Sequence, residues 1–134
     1  MKTAVIVTTY NRPDALEAAL AGYFAQADLD FELLIADDGS GDLTRDMVAR
    51  HAARAPFPLH HVWQEDRGFR AGAARNRAVL RTAADYLIFV DGDCIPTQNF
   101  VRQHKSLAEP GFFLSGNRVL LSESFTRQAL DNRL

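Results

Sequence analysis

Strand-like and helix-like patterns alternate along most of this chain. Four short apolar runs, rich in β-branched and aromatic residues, are expected to form buried strands at 4–7, 31–36, 59–63 and 86–90. Helical patterns lie between and after them, at about 13–26, 43–53, 70–83 and 97–107. This alternation predicts an α/β fold, a mostly parallel sheet with helices on both faces. A further strand is expected at 112–116, after the turn signal of Pro110 and Gly111.

A polar cluster follows each of the four alternating strands. The clusters are TTYNR, DDGS, EDRGFR and DGD. In parallel α/β sheets the carboxyl ends of the strands lie along one edge, and ligands bind there. We therefore expect the carboxylates, arginines, hydroxyls and aromatic ring of these clusters to form one site.

The composition narrows the class of protein. The chain has 134 residues, of which 24% are charged, and a net charge of −2. This fits one ordinary globular domain, and no basic field favours nucleic acid as a partner. Cys94 is the single cysteine, which excludes an internal disulfide and a zinc site made of several cysteines; a buried thiol is expected.

No segment has the character of a targeting or membrane-spanning element. The N-terminal apolar run is too short for a signal peptide and turns polar at Thr8. No run approaches the roughly 18 apolar residues of a transmembrane helix. A cytoplasmic protein is expected, with peripheral contact at the inner membrane face left open.

Asp91 and Asp93 directly follow an apolar strand, with only Gly92 between them. If the backbone stays extended, the two carboxylates point to the same side and repel one another. A hard divalent cation such as Mg²⁺ or Mn²⁺ would relieve this repulsion, and such ions commonly add phosphate oxygens and waters as ligands. The alternative is that both aspartates are turn and cap residues of the following helix.

Asp37 and Asp38 raise the same question at the end of the second strand. DDGS is a good turn sequence, since Gly39 can adopt positive φ, and Ser40 or Asp42 could cap the next helix. The functional alternative is that one carboxylate accepts hydrogen bonds from a ligand.

Five arginines lie within 15 residues, from Arg67 to Arg81. On a helix starting near Arg70, residues Arg70, Arg77 and Arg81 would share one side, and Arg75 would lie elsewhere. An arginine beside a helix N-terminus forms an anion site, which favours a phosphate contact for Arg70. Arg77 and Arg81 are interpreted as a solvated face.

Other residues carry weaker signals. Tyr10 could stack on a planar ring, with Thr8 or Thr9 as hydrogen-bonding neighbours, or simply pack in its loop. The four histidines lack zinc-ligand spacing and are assigned no chemistry, and Trp63 is interpreted as packing. The glycine-rich signatures of dinucleotide-binding and P-loop proteins are missing, as is the nucleophile elbow of hydrolases.

Four segments, in this order and spacing, resemble a family 2 glycosyltransferase of GT-A fold: IVTTYNRPDAL, LLIADDGSGD, DRGFRAGAARNRA and YLIFVDGDCIP. The chain is most similar to the chondroitin-polymerase and galactosyltransferase-like branch, over roughly residues 3–120. The resemblance implies transfer of a sugar, with inversion, from a nucleotide-diphosphate donor that is expected to be a UDP-sugar.

The resemblance also implies a role for each matching residue. Thr8 and Tyr10 would line the base pocket, and Asp38, or Asp37 beside it, would bind the base. Arg70 would reach the nucleotide or its diphosphate. Asp91 would contact the ribose or the metal, and Asp93 would bind Mn²⁺ or Mg²⁺ bridging the diphosphate.

The chain departs from the family at its C-terminal side. In the family, the catalytic base lies well downstream of the DxD segment, which is Asp91-Gly92-Asp93 in this chain. This chain ends 41 residues after Asp93. The later carboxylates, Glu109, Glu123 and Asp131, do not lie in a motif like that of the family's base. We therefore identify no catalytic base and expect a nucleotide-sugar-binding domain at 1–120. A helical segment at 121–134 is expected to pack on a missing half or a second copy.

Two other functions stay open from the sequence. The first is a non-catalytic nucleotide-binding module, or a truncated pseudoenzyme. The second is a nucleotidyltransferase, which ranks lower because TTYNRP lacks the glycine-rich loop usual after the first strand of that class. The acceptor, a glycan or another molecule, is not identified.

Overall fold

The computed structural model describes residues 1–132, and its centre is one four-stranded parallel sheet. The strands are β1 (Thr3–Thr9), β2 (Glu32–Asp37), β3 (Leu59–Trp63) and β4 (Tyr86–Asp91). Their order across the sheet is β3-β2-β1-β4, with every neighbouring pair parallel. The helices are α1 (Pro13–Phe24), α2 (Asp42–Ala52), α3 (Ala71–Val79), α4 (Phe100–Leu107) and α5 (Glu123–Asn132).

The sheet buries apolar side chains on both faces, because residues of β1 alternate between them. Val5 and Val7 belong to a core formed with α1, α2 and α4. Ala4 and Ile6 face the other way and pack with α3, where Ala74 and Ala78 are buried. The predicted α/β class, with helices on both faces, is confirmed.

The helix boundaries follow local chemistry. Pro13 occupies the first turn of α1, as expected, since its missing N–H costs nothing there. The helix ends at Phe24 instead of 26, and Tyr23, fully buried, completes its apolar stripe, whereas Phe24 is only partly buried. Gly41, and neither Ser40 nor Asp42, is the N-cap of α2.

Helices α3 and α4 are shorter than predicted. Helix α3 ends at Val79 instead of 83, through a cap at Leu80. Helix α4 starts at Phe100 instead of 97, because Thr97 lies in a turn where its carbonyl accepts hydrogen bonds from Phe100 N (3.1 Å) and Gln26 Nε2 (2.6 Å).

The strand expected at 112–116 is wrong. Residues 112–122 contain no strand, and Phe112 and Phe113 are exposed. An apolar run forms a strand only when it pairs with a neighbour, and this run has no paired strand among the described residues. β4 is correspondingly an edge strand with Phe89 52% exposed, so it is not buried on both faces as its sequence suggested.

Helix α5 packs on α1, with Ala129 buried and Phe125 still 46% exposed. Positions 133 and 134 of the expected C-terminal segment lie outside the described residues. Within residues 1–132, no helix combines the length and the apolar character that crossing a membrane requires.

Candidate functional site

The turn after β4 is fastened to the end of β1. Gly92 N donates to the carbonyl of Thr8 (2.7 Å), and Thr8 Oγ1 donates to Asp91 Oδ1 (3.1 Å). A Cβ on Gly92 would lie 2.5 Å from the Thr8 carbonyl oxygen, so only glycine fits without a shift of the backbone. The two strand ends are thereby held in a fixed relation.

Asp91 and Asp93 are both exposed, and the Asp91 side chain is 55% accessible. Neither caps the following helix, because α4 begins only at Phe100, with Asn99 as its N-cap. The cap part of the alternative is therefore wrong, whereas the turn part is confirmed, since Cys94 N donates to the Asp91 carbonyl (3.2 Å) across Gly92 and Asp93. Cys94, beside Asp93, is half-buried instead of buried; burial raises the pKa of its thiol, and the Asp93 charge adds to the rise.

Arg75 extends from α3 toward the same turn. Its guanidinium Nη2 lies 3.6 Å from Asp91 Oδ1. The helical spacing predicted that Arg75 would lie apart from Arg70, Arg77 and Arg81, but spacing alone cannot show which side of a helix faces the strand ends. The sequence interpretation therefore missed Arg75 as a site residue.

Asp38 is 5% exposed and organises the loop after β3. Its Oδ1 accepts a hydrogen bond from Gln64 Nε2 (2.8 Å), and its Oδ2 accepts one from Arg70 N (2.7 Å). Gln64 Nε2 also donates to the Arg70 carbonyl (3.2 Å). Asp38 thus fixes the backbone from which the exposed Arg70 side chain projects.

Asp37 is fully buried. Its Oδ2 lies 2.7 Å from His61 Nε2, and its Oδ1 accepts a hydrogen bond from Ser40 N (2.9 Å). Burial alone would raise the pKa of Asp37, but the hydrogen bonds from His61 and Ser40 outweigh it and hold this pKa below its usual value. A ligand contact would require breaking these bonds, so the geometry favours the turn interpretation for Asp37.

His61 and Trp63, to which the sequence assigned nothing beyond packing, both serve this turn. His61 pairs with Asp37, and Trp63, 49% exposed, donates its indole N–H to the Ser40 carbonyl (2.9 Å). Both contacts depend on the parallel register of β2 and β3, which sets Asp37 opposite Trp63. Residue spacing within one strand carries no signal for such a pairing.

Tyr10 lies at the end of β1 with 48% of its surface exposed. Its hydroxyl donates to Asp66 Oδ2 (2.7 Å), and this bond raises the pKa of Tyr10. Gly39, at φ +102°, packs against the backbone of Asp66, where a Cβ would approach Asp66 Cα to 2.5 Å. Three strand-end loops therefore meet around Asp66, and the Tyr10 ring remains accessible.

The structure brings most of the predicted site residues to one edge of the sheet. Thr8 and Asp91 are in contact, Arg70 is linked to Asp38 through its backbone, and Tyr10 joins this edge through Asp66. Thr9, by contrast, is 8% exposed and points away from solvent. The predicted convergence of the strand ends is thus realised.

The donor chemistry of this edge suits a metal that brings its own ligands. Among residues 1–132, no group of three or more His, Cys, Asp and Glu side chains is arranged to hold an ion. Asp91 and Asp93 supply two hard carboxylates, and Mg²⁺ or Mn²⁺ completes its shell with waters and phosphate oxygens. The two exposed aspartates fit the oxygen donors that such an ion takes, and the rest of its coordination shell would come from waters or a ligand.

The structure is an α/β fold with a cluster of carboxylates, hydroxyls and arginines at the carboxyl ends of its parallel strands. The family model described as "Glycosyl transferase family 2" matches residues 4–129. The chain belongs to this family, as its motifs indicated.

Curated relatives include bacterial transferases and polysaccharide synthases. Validoxylamine A glucosyltransferase of Streptomyces hygroscopicus subsp. limoneus is 36% identical over 101 residues, which are 74% of this chain and 22% of that protein. Chondroitin synthase of Pasteurella multocida is 29% identical over 119 residues, 88% of this chain and 12% of that protein. The chain thus spans less than a quarter of the length of these two relatives.

Solved structures share the same fold. The chain matches S. aureus TarS 1-349 in complex with UDP-GlcNAc at a TM-score of 0.68 and 25% identity, covering 79% of this chain and 30% of that one. It matches the mannosyltransferase PcManGT from Pyrobaculum calidifontis, in complex with GDP-Man and Mn²⁺, at a TM-score of 0.71 and 28% identity, covering 81% and 33%.

Proposed function

We propose that this chain is the donor-binding part of a metal-dependent, inverting glycosyltransferase that uses a UDP-sugar. The observation that carries the proposal is the pair of exposed carboxylates after β4, Asp91 and Asp93, of which Asp91 is held by Thr8. Tyr10, at the end of β1, is also accessible. The nucleotide-sugar complexes of the structural neighbours, one of them with Mn²⁺, support this type of ligand.

Each site residue is proposed to have the role that its side-chain chemistry allows. Asp91 and Asp93 would hold Mn²⁺ or Mg²⁺, which as a Lewis acid stabilises the leaving diphosphate. Thr8 orients Asp91 through its hydroxyl. Tyr10 offers an aromatic face to the base, and Arg70, held through its N–H by Asp38, offers a guanidinium to the phosphates.

Both oxygens of Asp38 already accept hydrogen bonds, from Gln64 and from Arg70 N, so its proposed contact with the base involves exchange of one of these bonds. Asp37 is proposed to support this position from the interior through His61 and Ser40. Inversion also requires a base near the acceptor. The first two glutamates after the DxD turn are Glu109 and Glu123. Both are exposed, and neither is proposed for this role.

Calorimetric titration of UDP in the presence of Mn²⁺, repeated with excess EDTA, tests the proposal. We expect binding with Mn²⁺ and little or none with EDTA, because the diphosphate and the carboxylates need the cation between them. A parallel titration with GDP tests the base, and weaker binding than UDP is expected. Absence of UDP binding in both conditions would refute the proposed donor site. Equal binding of GDP and UDP would refute the preference for a uracil base.

Turnover distinguishes a transferase from a nucleotide-binding module. A transferase should slowly hydrolyse a UDP-sugar when no acceptor is present, and release of UDP measures this. Metal-dependent binding of UDP without any such release from several UDP-sugars would favour the binding module for these residues.

A further inference from the structure

The contact between Arg75 and Asp91 is longer than the N–H and O–H hydrogen bonds at the carboxyl-end edge of the sheet. The 3.6 Å between Nη2 and Oδ1 exceeds the 2.7–3.2 Å that is usual for a hydrogen bond, so the attraction is one of charge. Thr8 already donates to the same Asp91 oxygen at 3.1 Å. Orientation of Asp91 therefore does not depend on the guanidinium.

The ion pair also contributes little to folding. The side chains of Arg75 and Asp91 are 39% and 55% exposed, and pairs this accessible to water stabilise proteins by about 0–1 kcal/mol. Arg75 retains most of its N–H groups for other partners, since a guanidinium carries about five donors. These donors are available to a phosphate-bearing ligand at the DxD turn.

The Arg75 charge should affect the two expected ligands of this turn in opposite ways. A divalent cation at Asp91 and Asp93 would lie close to the Arg75 guanidinium, and the like charges would repel. A diphosphate that enters with the cation attracts both of them, and arginine binds phosphate oxygens well. Arg75 should thus disfavour the metal alone and favour the metal together with the diphosphate.

We propose that Arg75 couples the binding of the divalent metal to the binding of the nucleotide diphosphate. This inference rests on the proposed function, because it assigns both ligands to the DxD edge. Coupling is reciprocal: the factor by which Mn²⁺ raises the affinity for UDP equals the factor by which UDP raises the affinity for Mn²⁺. Loss of Arg75 should lower both factors equally.

The test compares Arg75→Ala with wild type and with Arg77→Ala, an exposed arginine on the same helix. Binding of Mn²⁺ alone is followed by the electron paramagnetic resonance of free Mn²⁺, and binding of UDP at saturating Mn²⁺ by calorimetry. For Arg75→Ala we expect Mn²⁺ alone to bind about 2–5-fold tighter, the scale of an exposed ion pair. UDP with Mn²⁺ should bind about 10-fold weaker or more, the scale of a lost charge-assisted bond.

The possible outcomes separate this inference from the proposed function. If the wild type binds UDP with Mn²⁺ and Arg75→Ala behaves like Arg77→Ala, the coupling role is wrong and the proposed function stands. If Mn²⁺ alone binds more weakly to Arg75→Ala, Arg75 supports the metal site, and the inference is also wrong. If the wild type binds no UDP, both fail.

Arg75→Lys sharpens the result, since it retains the charge and loses the planar fork. We expect its affinity for Mn²⁺ alone to match the wild type and its affinity for UDP with Mn²⁺ to be intermediate. Alanine is the best helix former, so Arg75→Ala should leave α3 folded, and a thermal melt within about 2 °C of wild type verifies this.

Discussion

Two strands of this protein end in a pair of aspartates, and the two pairs have opposite environments. At the end of β2, Asp37 and Asp38 are 0% and 5% exposed, and all four of their oxygens have protein partners. At the end of β4, Asp91 and Asp93 are exposed, and Asp91 is contacted by Thr8 and, at longer range, by Arg75. The first pair builds the loops of the site, and the second remains available to a ligand.

The difference follows from position in the sheet. β2 lies between β1 and β3, and the partners of its two aspartates come from β3 (His61), from the loop after β3 (Gln64 and Arg70) and from its own turn (Ser40). β4 is an edge strand, and β1 is its single neighbour. Identical residue types at strand ends are thus buried or exposed according to the position of the strand in the sheet.

The largest expected effect is on stability at Asp37. Asp37→Ala removes the partner of His61 and the acceptor for Ser40 N inside the protein, and should lower the free energy of unfolding by about 3 kcal/mol. Urea denaturation measures the change. Asp93→Ala is the matched control at the other strand end and should alter stability by no more than about 0.5 kcal/mol. Equal losses in the two variants would erase the distinction between the pairs.

A second effect concerns the phosphate contact of Arg70. Arg70→Ala should weaken binding of UDP with Mn²⁺ by about 1.5–3 kcal/mol, because a charge-assisted hydrogen bond is lost, while the unfolding midpoint stays unchanged. The backbone N–H that Asp38 accepts survives the substitution. An unchanged affinity for UDP would indicate that Arg70 is a solvated surface residue that contacts no phosphate.

Substitution of Asp38 should lower both the stability of the protein and its affinity for UDP, each by a smaller amount. Asp38→Ala removes the acceptor of the Arg70 N–H and one of the two acceptors of Gln64 Nε2, and should cost about 1–3 kcal/mol of stability. It should also weaken UDP binding, because the loop that carries Arg70 loses its anchor. The exposed Asp30 is the control, and Asp30→Ala should change neither quantity. A stable Asp38→Ala with normal UDP affinity would contradict the anchoring role.

The smallest expected effect is a pH dependence. The pKa of Asp37 in the folded protein lies below its ordinary value of 3.8. Its contribution to stability is therefore complete above the ordinary value and declines as the pH falls from there through the folded pKa. Asp37→Asn should flatten the stability profile in this acid window, whereas Asp30→Asn should not. Parallel acid-unfolding curves for wild type and Asp37→Asn would show that this carboxylate does not contribute.

Periodicity predicted much of the fold because local chemistry decides those elements. The strands 59–63 and 86–90 agree with β3 and β4 to within a residue, and Pro13 starts α1 as expected. The strand at 112–116 failed because a strand needs a neighbour, and no pattern within the run reports whether a neighbour is present. Phe89 was misjudged for the related reason that strand order is a tertiary property.

The site was predictable up to the point where side chains pair across elements. The convergence of Thr8, Asp38 and Asp91 at one edge follows from the parallel topology. The contacts of His61 with Asp37 and of Arg75 with Asp91 depend on register and helix rotation, which residue spacing does not encode. The two aspartate pairs looked alike in sequence for the same reason.

The central claim is that the exposed pair, and not the buried one, holds the metal of the donor complex. We would measure UDP affinity for wild type and Asp93→Ala with Mn²⁺ and with EDTA. The account predicts that the wild type binds only with Mn²⁺ and that Asp93→Ala, still folded, loses this metal-dependent binding. Metal-dependent binding of unchanged affinity in Asp93→Ala would contradict the account.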